Sequence, residues 1–467
     1  MIHRYVLRTG SDVLPRKWEG ISMTQRMLKL FSVFLALALF GAACGSDSVT
    51  SVAETATDTA EAVADTAAEA VADSTDAMEE TIEEVANPAA ADSCATDTIR
   101  IGAALSETGK YSVEGKDSRQ GYNTWANWAN ANGGIDIGDG CSAQVEIIYY
   151  DDESDADTVK ELTQKLISED EVDFLLGPYS SGLTTQASAI AEQENILMVE
   201  GNGTSNAMFE RGFDNLFLVA TIASDYTKSG IEAFAAQGAK TAVLAYEDTS
   251  FPTAVANGAI EHLEANGIEL LAVETYPKDP TNLTPIISKF KALDPDVFIG
   301  GGHYIDATLF LGAASDTGFD PDGMLITVGP SNPKLTNELG EDVFGVIGPT
   351  QWERTMAYSG EWIGSAEDFA TLYEADHGEP PVYQSASAAA SGLALQIAIE
   401  AAGATDTDSV RAALNSMDAV TFYGPIKFDG DGVNRGKPMG TVQVQNGDIN
   451  VIAPALAATA DFAYPMN

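Results

Sequence analysis

From about residue 98 onward, short apolar runs alternate with longer stretches whose apolar residues recur every three or four positions. The runs Ile99–Leu105, Gln144–Tyr150, Val172–Gly177 and Ile196–Glu200 predict buried strands. Between them, Gly115–Ala131, Ala156–Glu169 and Leu183–Glu192 carry helical spacing. A second series follows a crossing strand at Phe217–Thr221, with strands at Thr241–Tyr246, Leu270–Tyr276, Val297–Gly300, Leu325–Val328 and Val346–Pro349. Its helices are predicted at Tyr226–Gln237, Phe251–Asn266, Thr284–Leu293 and Ala307–Thr317. Strand and helix taking turns in this way predict an α/β chain of two doubly wound parallel-sheet lobes. After Trp352 the pattern turns helical again, at Glu367–Asp376 and the Ala-rich Ser385–Ala401, which reads as a return to the first lobe. The expected division is 98–222 and 350–422 for lobe I, and 223–349 and 423–467 for lobe II. Such lobes, joined by a hinge of several crossings, would hold a ligand cleft between them. Tyr122, Trp125 and Trp128, three residues apart, are expected to pack in a core rather than form a binding platform.

Ahead of the lobes the pattern changes. Residues 1–43 have the order of a secretory leader: Arg26 and Lys29, an apolar run from Leu30 to Phe40, then Gly41-Ala42-Ala43 before Cys44. The apolar run is short for a membrane span. Residues 44–97 are Ala, Thr, Glu and Asp with few bulky side chains, and hold the near-repeat Ala60-Glu-Ala-Val-Ala-Asp and Ala68-Glu-Ala-Val-Ala-Asp. So little apolar surface predicts a disordered or fraying, self-repelling tether.

Charge and cysteines narrow the partners. The 467 residues carry 24 Lys plus Arg against 70 Asp plus Glu, a formal charge of −46, which repels nucleic-acid phosphates and anionic headgroups. Of three cysteines, Cys94 and Cys141 each precede a predicted strand at the same sheet edge. In an oxidising compartment they are expected to pair, the alternative being two unpaired thiols. Enzyme chemistry finds little footing. The four His are scattered, and no His-Glu-x-x-His, Cys-x-x-Cys, Gly-x-Ser-x-Gly or phosphate-cradling loop occurs. No metal and no cofactor are expected.

One junction stands out: Phe174-Leu-Leu-Gly-Pro-Tyr-Ser-Ser-Gly-Leu-Thr-Thr. A buried strand runs into a turn, and Ser180 and Ser181 open a helix whose unpaired N–H groups suit a carboxylate. Alternatively, Ser180 or Ser181 merely caps the helix.

Ile101-Gly-Ala-Ala-Leu-Ser-Glu-Thr-Gly-Lys-Tyr, Gly121-Tyr, Asn132-Gly-Gly-Ile, Tyr150-Asp-Asp-Glu-Ser-Asp, Leu176-Gly-Pro-Tyr-Ser-Ser and Gly424-Pro-Ile-Lys-Phe-Asp-Gly-Asp-Gly occur in that order. In this the chain resembles the leucine/isoleucine/valine-binding type of solute-binding protein that serves ABC importers. The resemblance covers everything from about Thr98 onward. It implies a type I periplasmic binding fold that closes over its ligand by hinge motion, an ABC permease as partner, and a monomer. Gly41-Ala-Ala-Cys44 resembles a bacterial lipobox, with Gly41 where an aliphatic residue is usual. It implies lipidation of Cys44 and an extracytoplasmic protein held to the membrane by its lipid alone.

Carried over residue by residue, the resemblance puts the ligand carboxylate at Ser181 with Ser180 beside it, and a second polar contact at Thr204 with help from the amides near Asn202 and Gly203. Phe251 and Tyr304, with His303 beside it, are the expected aromatic contacts from the second lobe. Ser331 stands where amino-acid-binding relatives carry an acid for the ligand ammonium. Either another acid such as Asp306 or Glu353 substitutes, or the ligand lacks a free amine. Trp352 and Tyr383 line the site or pack the core. The expected function is capture of an amino acid, amide or related small carboxylate without chemistry. A ligand-sensing receptor of the same fold is the alternative, and a hydrolase a distant third.

Overall fold

The computed structural model describes Cys94 and residues 96–466. The leader, Cys44 and most of the tether lie outside the described residues.

The first half opens with β1 (Thr98–Leu105), α1 (Ser112–Ala131), the hairpin β2 (Ile135–Gly138) and β3 (Cys141–Asp151), and α2 (Ala156–Ser168). It continues through β4 (Phe174–Leu176), α3 (Ser181–Gln193), β5 (Met198–Glu200), α4 (Asn206–Phe209) and β6 (Leu216–Leu218). The sheet runs β2-β3-β1-β4-β5-β6 and is parallel except where β2 folds back on β3. Because side chains alternate along a strand, both faces are buried: Phe174 and Leu176 point into one core and Leu175 into the other. Cys94 and Cys141 are joined by a disulfide, which ties the chain ahead of β1 to the start of β3.

The second half comprises α5 (Lys228–Gln237), β7 (Thr241–Glu247), α6 (Ser250–Ala265), β8 (Glu269–Tyr276), α7 (Thr284–Lys291), β9 (Val297–Gly301), α8 (Tyr304–Thr317), β10 (Gly323–Ile326), α9 (Pro333–Leu339) and β11 (Ile347–Thr350). The chain then returns to the first half with α10 (Ala366–His377), α11 (Tyr383–Ala402), α12 (Thr407–Ser416) and the small pair β12 (Ala419–Thr421) and β13 (Gly424–Ile426). A last hairpin, β14 (Gly440–Gln445) and β15 (Asp448–Ala453), completes the second sheet, ordered β15-β14-β11-β10-β9-β7-β8. Among the described residues no single helix is long and apolar enough to cross a membrane.

α1 and α11 cross closely because small residues meet there. A Cβ on Gly121 would fall 2.0 Å from the Ser385 carbonyl oxygen, and one on Gly392 would fall 2.1 Å from the Trp125 ring. Tyr122 and Trp125 are buried in this core, Trp125 donating to Gln396 Oε1 at 2.9 Å.

One boundary shifts from the expectation. Residues 423–434, assigned from sequence to the second lobe, stay with the first: Val433 bridges to Leu218, and Phe428 meets Phe217 edge-on. The apolar side chains of Phe422, Ile426 and Phe428 find their cover in the first core, so the chain crosses only after Asn434. The three crossings meet at Gln351, whose side chain binds the Thr221 backbone, while Lys437 donates to the Gln351 carbonyl and Thr221 Oγ1 donates to the Lys437 carbonyl.

Candidate functional site

The site is built where strands end. β4 stops at Leu176, and Ser180 turns the chain with φ +79° before α3 begins. Ser180 Oγ accepts the Leu183 N–H at 3.4 Å, so this serine caps the helix. Ser181 Oγ accepts the N–H groups of Thr204 and Ser205 at 3.0 and 2.9 Å, pinning the loop after β5 to the head of α3. Glu200, at the end of β5, is buried and takes the N–H groups of Gly201, Asn202 and Gly203 at 2.8, 2.6 and 2.8 Å, with Thr184 Oγ1 at 2.8 Å. Gly203 has no room for a side chain, since a Cβ would lie 2.3 Å from Thr184 Oγ1.

The expected residues therefore separate. The amides of Asn202 and Gly203, expected at the ligand, are consumed by Glu200, a buried carboxylate that needs several donors. The Asn202 side chain likewise turns inward, donating to Ser118 Oγ and the Gln384 carbonyl. Thr204 Oγ1 is buried and has no hydrogen-bond partner, although the Tyr226 phenol lies near enough to be influenced by it.

The other side comes from the second half. Phe251, in the first turn of α6, packs against Tyr226 and His303 with ring centroids 5.1 and 5.4 Å away. His303, just before α8, pairs through Nδ1 with the Tyr179 hydroxyl at 3.1 Å and lies 4.7 Å from the Tyr111 ring. Burial, reinforced by the Lys110 charge, holds His303 well below the usual range, so it is neutral. The Tyr304 N–H donates to Glu114 Oε1 at 3.0 Å, and its own buried hydroxyl has no hydrogen-bond partner. Ser331 is buried beside Asn332, whose side chain reaches Asp117 at 3.3 Å.

These contacts join two halves across one seam. Lys110, from the loop after β1, is buried between Glu247 and Asp306 of the second half, at 3.1 Å from Asp306. Burial opposes its charge most strongly, but the carboxylates of Asp306 and Glu247 together hold its amine above the ordinary value. Lys334 crosses to Asp117 at 2.7 Å. At the rim, a cavity of about 630 Å³ is lined by Ser205 and Asn206 from one half and by Ser224, Asp248 and Ser250 from the other. It touches neighbours of the expected residues rather than those residues themselves.

Of the two acids proposed to replace the missing one at Ser331, Asp306 is spent on Lys110, and Glu353 accepts from Thr350 Oγ1 at 3.0 Å near the hinge. Trp352 is core, its Nε1 donating to the Phe422 carbonyl at 3.1 Å. Tyr383, at the start of α11, is buried in the same core. The residues that sequence reasoning passed over are Lys110, Tyr111, Glu114, Tyr179 and Tyr226. The signal for Lys110, Tyr111 and Glu114 was the short run Lys110-Tyr-Ser-Val-Glu in the loop and helix start after the first strand, where a cleft between lobes draws its walls.

Two doubly wound halves, crossed three times by the chain and meeting in a polar, aromatic seam, define a type I periplasmic binding protein. The comparisons give the family: residues 98–448 match the model described as periplasmic binding protein, and the chain belongs to that family. It is 24% identical over 399 residues to the Leu/Ile/Val-binding protein homolog 7 of Brucella suis, covering 81% of this chain and 96% of the relative. Among solved structures it is similar to the branched-chain amino acid transporter substrate-binding protein LivJ of Streptococcus pneumoniae in complex with isoleucine (TM-score 0.69, 23% identity, covering 76% of this chain and 100% of that one). A solute-binding protein of R. palustris in complex with benzoate gives TM-score 0.66 and 18% identity, covering 78% and 99%. The family is one of solute-binding proteins and implies an extracytoplasmic location.

Proposed function

We propose that this protein is the solute-capturing lipoprotein of an ABC importer, anchored through Cys44 and closing its two halves over a small carboxylate of amino-acid type. The carrying observation is that buried polar atoms from both sides of the seam, Thr204 Oγ1 and Glu114 Oε2 from one and Tyr304 OH from the other, make no close hydrogen bond, with the Tyr226, Tyr179 and Glu338 side chains their nearby polar neighbours. Buried polar groups in proteins are almost always satisfied, so several orphans in one interlobe seam are what a polar solute would satisfy. In this reading Thr204 and the first amides of α3, at Ser181 and Gly182, hold the carboxylate, since a helix leaves those N–H groups without partners of its own. Phe251 and Tyr304 close over the solute, with Ser331 near the second half's edge. Ser180 and Ser181 shape the anion end rather than carry it alone.

The test is a thermal-shift screen of the purified protein against L-amino acids, their amides and aromatic acids, followed by small-angle scattering with and without the best binder. A rise in melting temperature together with compaction supports capture. No shift from any compound, with no solute retained in native mass spectrometry, overturns it. Crosslinking in membranes tests the partner: a permease is expected, and a signalling protein captured instead would replace importer service with sensing.

A further inference from the structure

Glu114 sits in the first turn of α1 and is 1% exposed. Its Oε1 accepts the Tyr304 N–H from the opposite half, while its Oε2 has no hydrogen-bond partner. The seam's lysines are engaged elsewhere: Lys110 by Glu247 and Asp306, Lys334 by Asp117, and Lys278 by the Ser154 carbonyl. Tyr179 stands near enough for its hydroxyl to favour the Glu114 carboxylate, while making its closest hydrogen bond to His303 Nδ1 at 3.1 Å. A second acceptor, Gln384 Oε1, is also buried without a partner. The main chains of the two residues are linked through hydrogen bonds: the Ser118 hydroxyl donates to the Glu114 backbone carbonyl, and Asn202 Nδ2 donates to both Ser118 Oγ and the Gln384 backbone carbonyl. A carboxylate oxygen and an amide oxygen only accept. The orphan oxygen of Glu114 therefore calls for a ligand group that donates N–H bonds.

We propose that Glu114 is the residue that recognises the solute's ammonium group, so that the site selects zwitterionic amino acids over carboxylates without an amine. This rests on the capture reading above and deepens it. Ser331, in the second half, brings only a neutral hydroxyl; the cation-pairing carboxylate comes instead from the half that also carries Thr204. An ammonium at Glu114 Oε2 would favour the deprotonated form of this buried carboxyl and pair with it, where the pair is strongest and an unpaired charge costs most. The phenols of Tyr111, Tyr179 and Tyr383, held above their usual range by burial first and in part by the Glu114 charge, surround it as rings that also attract a cation. A benzoate-like acid offers nothing to these acceptors and would leave Oε2 facing its π-cloud.

The test is calorimetric titration of the full-length protein and of Glu114→Gln with the twenty L-amino acids, each set against its desamino acid, and with benzoate. Gln keeps an oxygen for the Tyr304 N–H and removes the charge, and its melting temperature verifies folding. The wild type is expected to prefer at least one amino acid over its desamino acid by about tenfold or more, and Glu114→Gln to lose about ten- to a hundredfold for that amino acid with the desamino acid unchanged. Tighter binding of benzoate or a desamino acid by the wild type, or an equal loss for both partners of a pair in the variant, overturns the proposal and leaves capture standing. Binding of none of these compounds overturns both.

Discussion

Thr221 and Gln351 hydrogen-bond to each other twice: the Thr221 N–H donates to Gln351 Oε1 at 3.0 Å, and Gln351 Nε2 donates to the Thr221 carbonyl at 3.0 Å. One side chain thus completes the backbone of another crossing strand, and its own carbonyl receives Lys437 from the third. Burial pushes the Lys437 amine down to about 7, and its charge rests 4.3 Å from the Tyr423 ring. Gln351→Ala should cost about 1–3 kcal/mol of unfolding free energy, because it strands a buried N–H and C=O. Urea denaturation monitors this, and an unchanged midpoint would show that the crossings hold without it.

Lys110 should hold the halves together. Lys110→Met leaves Glu247 and Asp306 buried with no cation between them, a loss on the order of 3–5 kcal/mol for the joined form. The expected result is a larger radius of gyration by small-angle scattering and weaker binding of whichever compound the screen identifies. Adding Asp306→Asn removes one stranded charge and should restore part of both.

Ser181 and Thr204 are predicted to separate folding from binding. Ser181→Ala removes the acceptor of two buried amides and should lower stability by about 1–3 kcal/mol. Thr204→Val deletes a hydroxyl that makes no close hydrogen bond and only neighbours the Tyr226 phenol, so the melting temperature should change little while affinity falls. Equal behaviour of the two variants would contradict this division.

Glu114 should make stability pH-dependent. Burial chiefly, opposed by the Tyr304 N–H and assisted by nearby Asp117, pushes its carboxyl from 4.5 up to about 7. Between those values the folded state keeps a proton that the unfolded chain has released, so stability falls as pH rises through the window, by about 3 kcal/mol at most. Glu114→Gln should flatten that slope by the Glu114 share, with the raised carboxyls of Asp152 and Glu353 still titrating in the same range, and be the more stable protein above pH 7. Urea titrations of both proteins from pH 4.5 to 8 check this. Parallel curves would mean the acid is not buried as described.

The sheets were legible because their strands are apolar and short. Thr241–Tyr246 was expected and Thr241–Glu247 is found, and Ala156–Glu169 became Ala156–Ser168. The final hairpin was missed despite a visible signal: Asn446 and Gly447, at φ +54° and +95°, join alternating Val442 and Val444 to Ile449 and Val451. Glu114 was hidden for a different reason. Beside Lys116 and Asp117 at a helix start it reads as a solvated acid, and its burial comes from Tyr304, 190 residues away in the chain. Likewise the fate of the Asn202 and Gly203 amides depends on Glu200, whose sequence position says only that a strand ends there.

The position of Lys110 has a consequence for the surroundings in which the protein works. Its partners belong to the opposite half, so any parting of the halves wets three charges that are otherwise dry. Dissolved ions shield wetted charges and leave dry ones nearly untouched. The resting balance between shut and parted forms should therefore drift with ionic strength even before any cargo arrives, a sensitivity to which this dry lysine contributes.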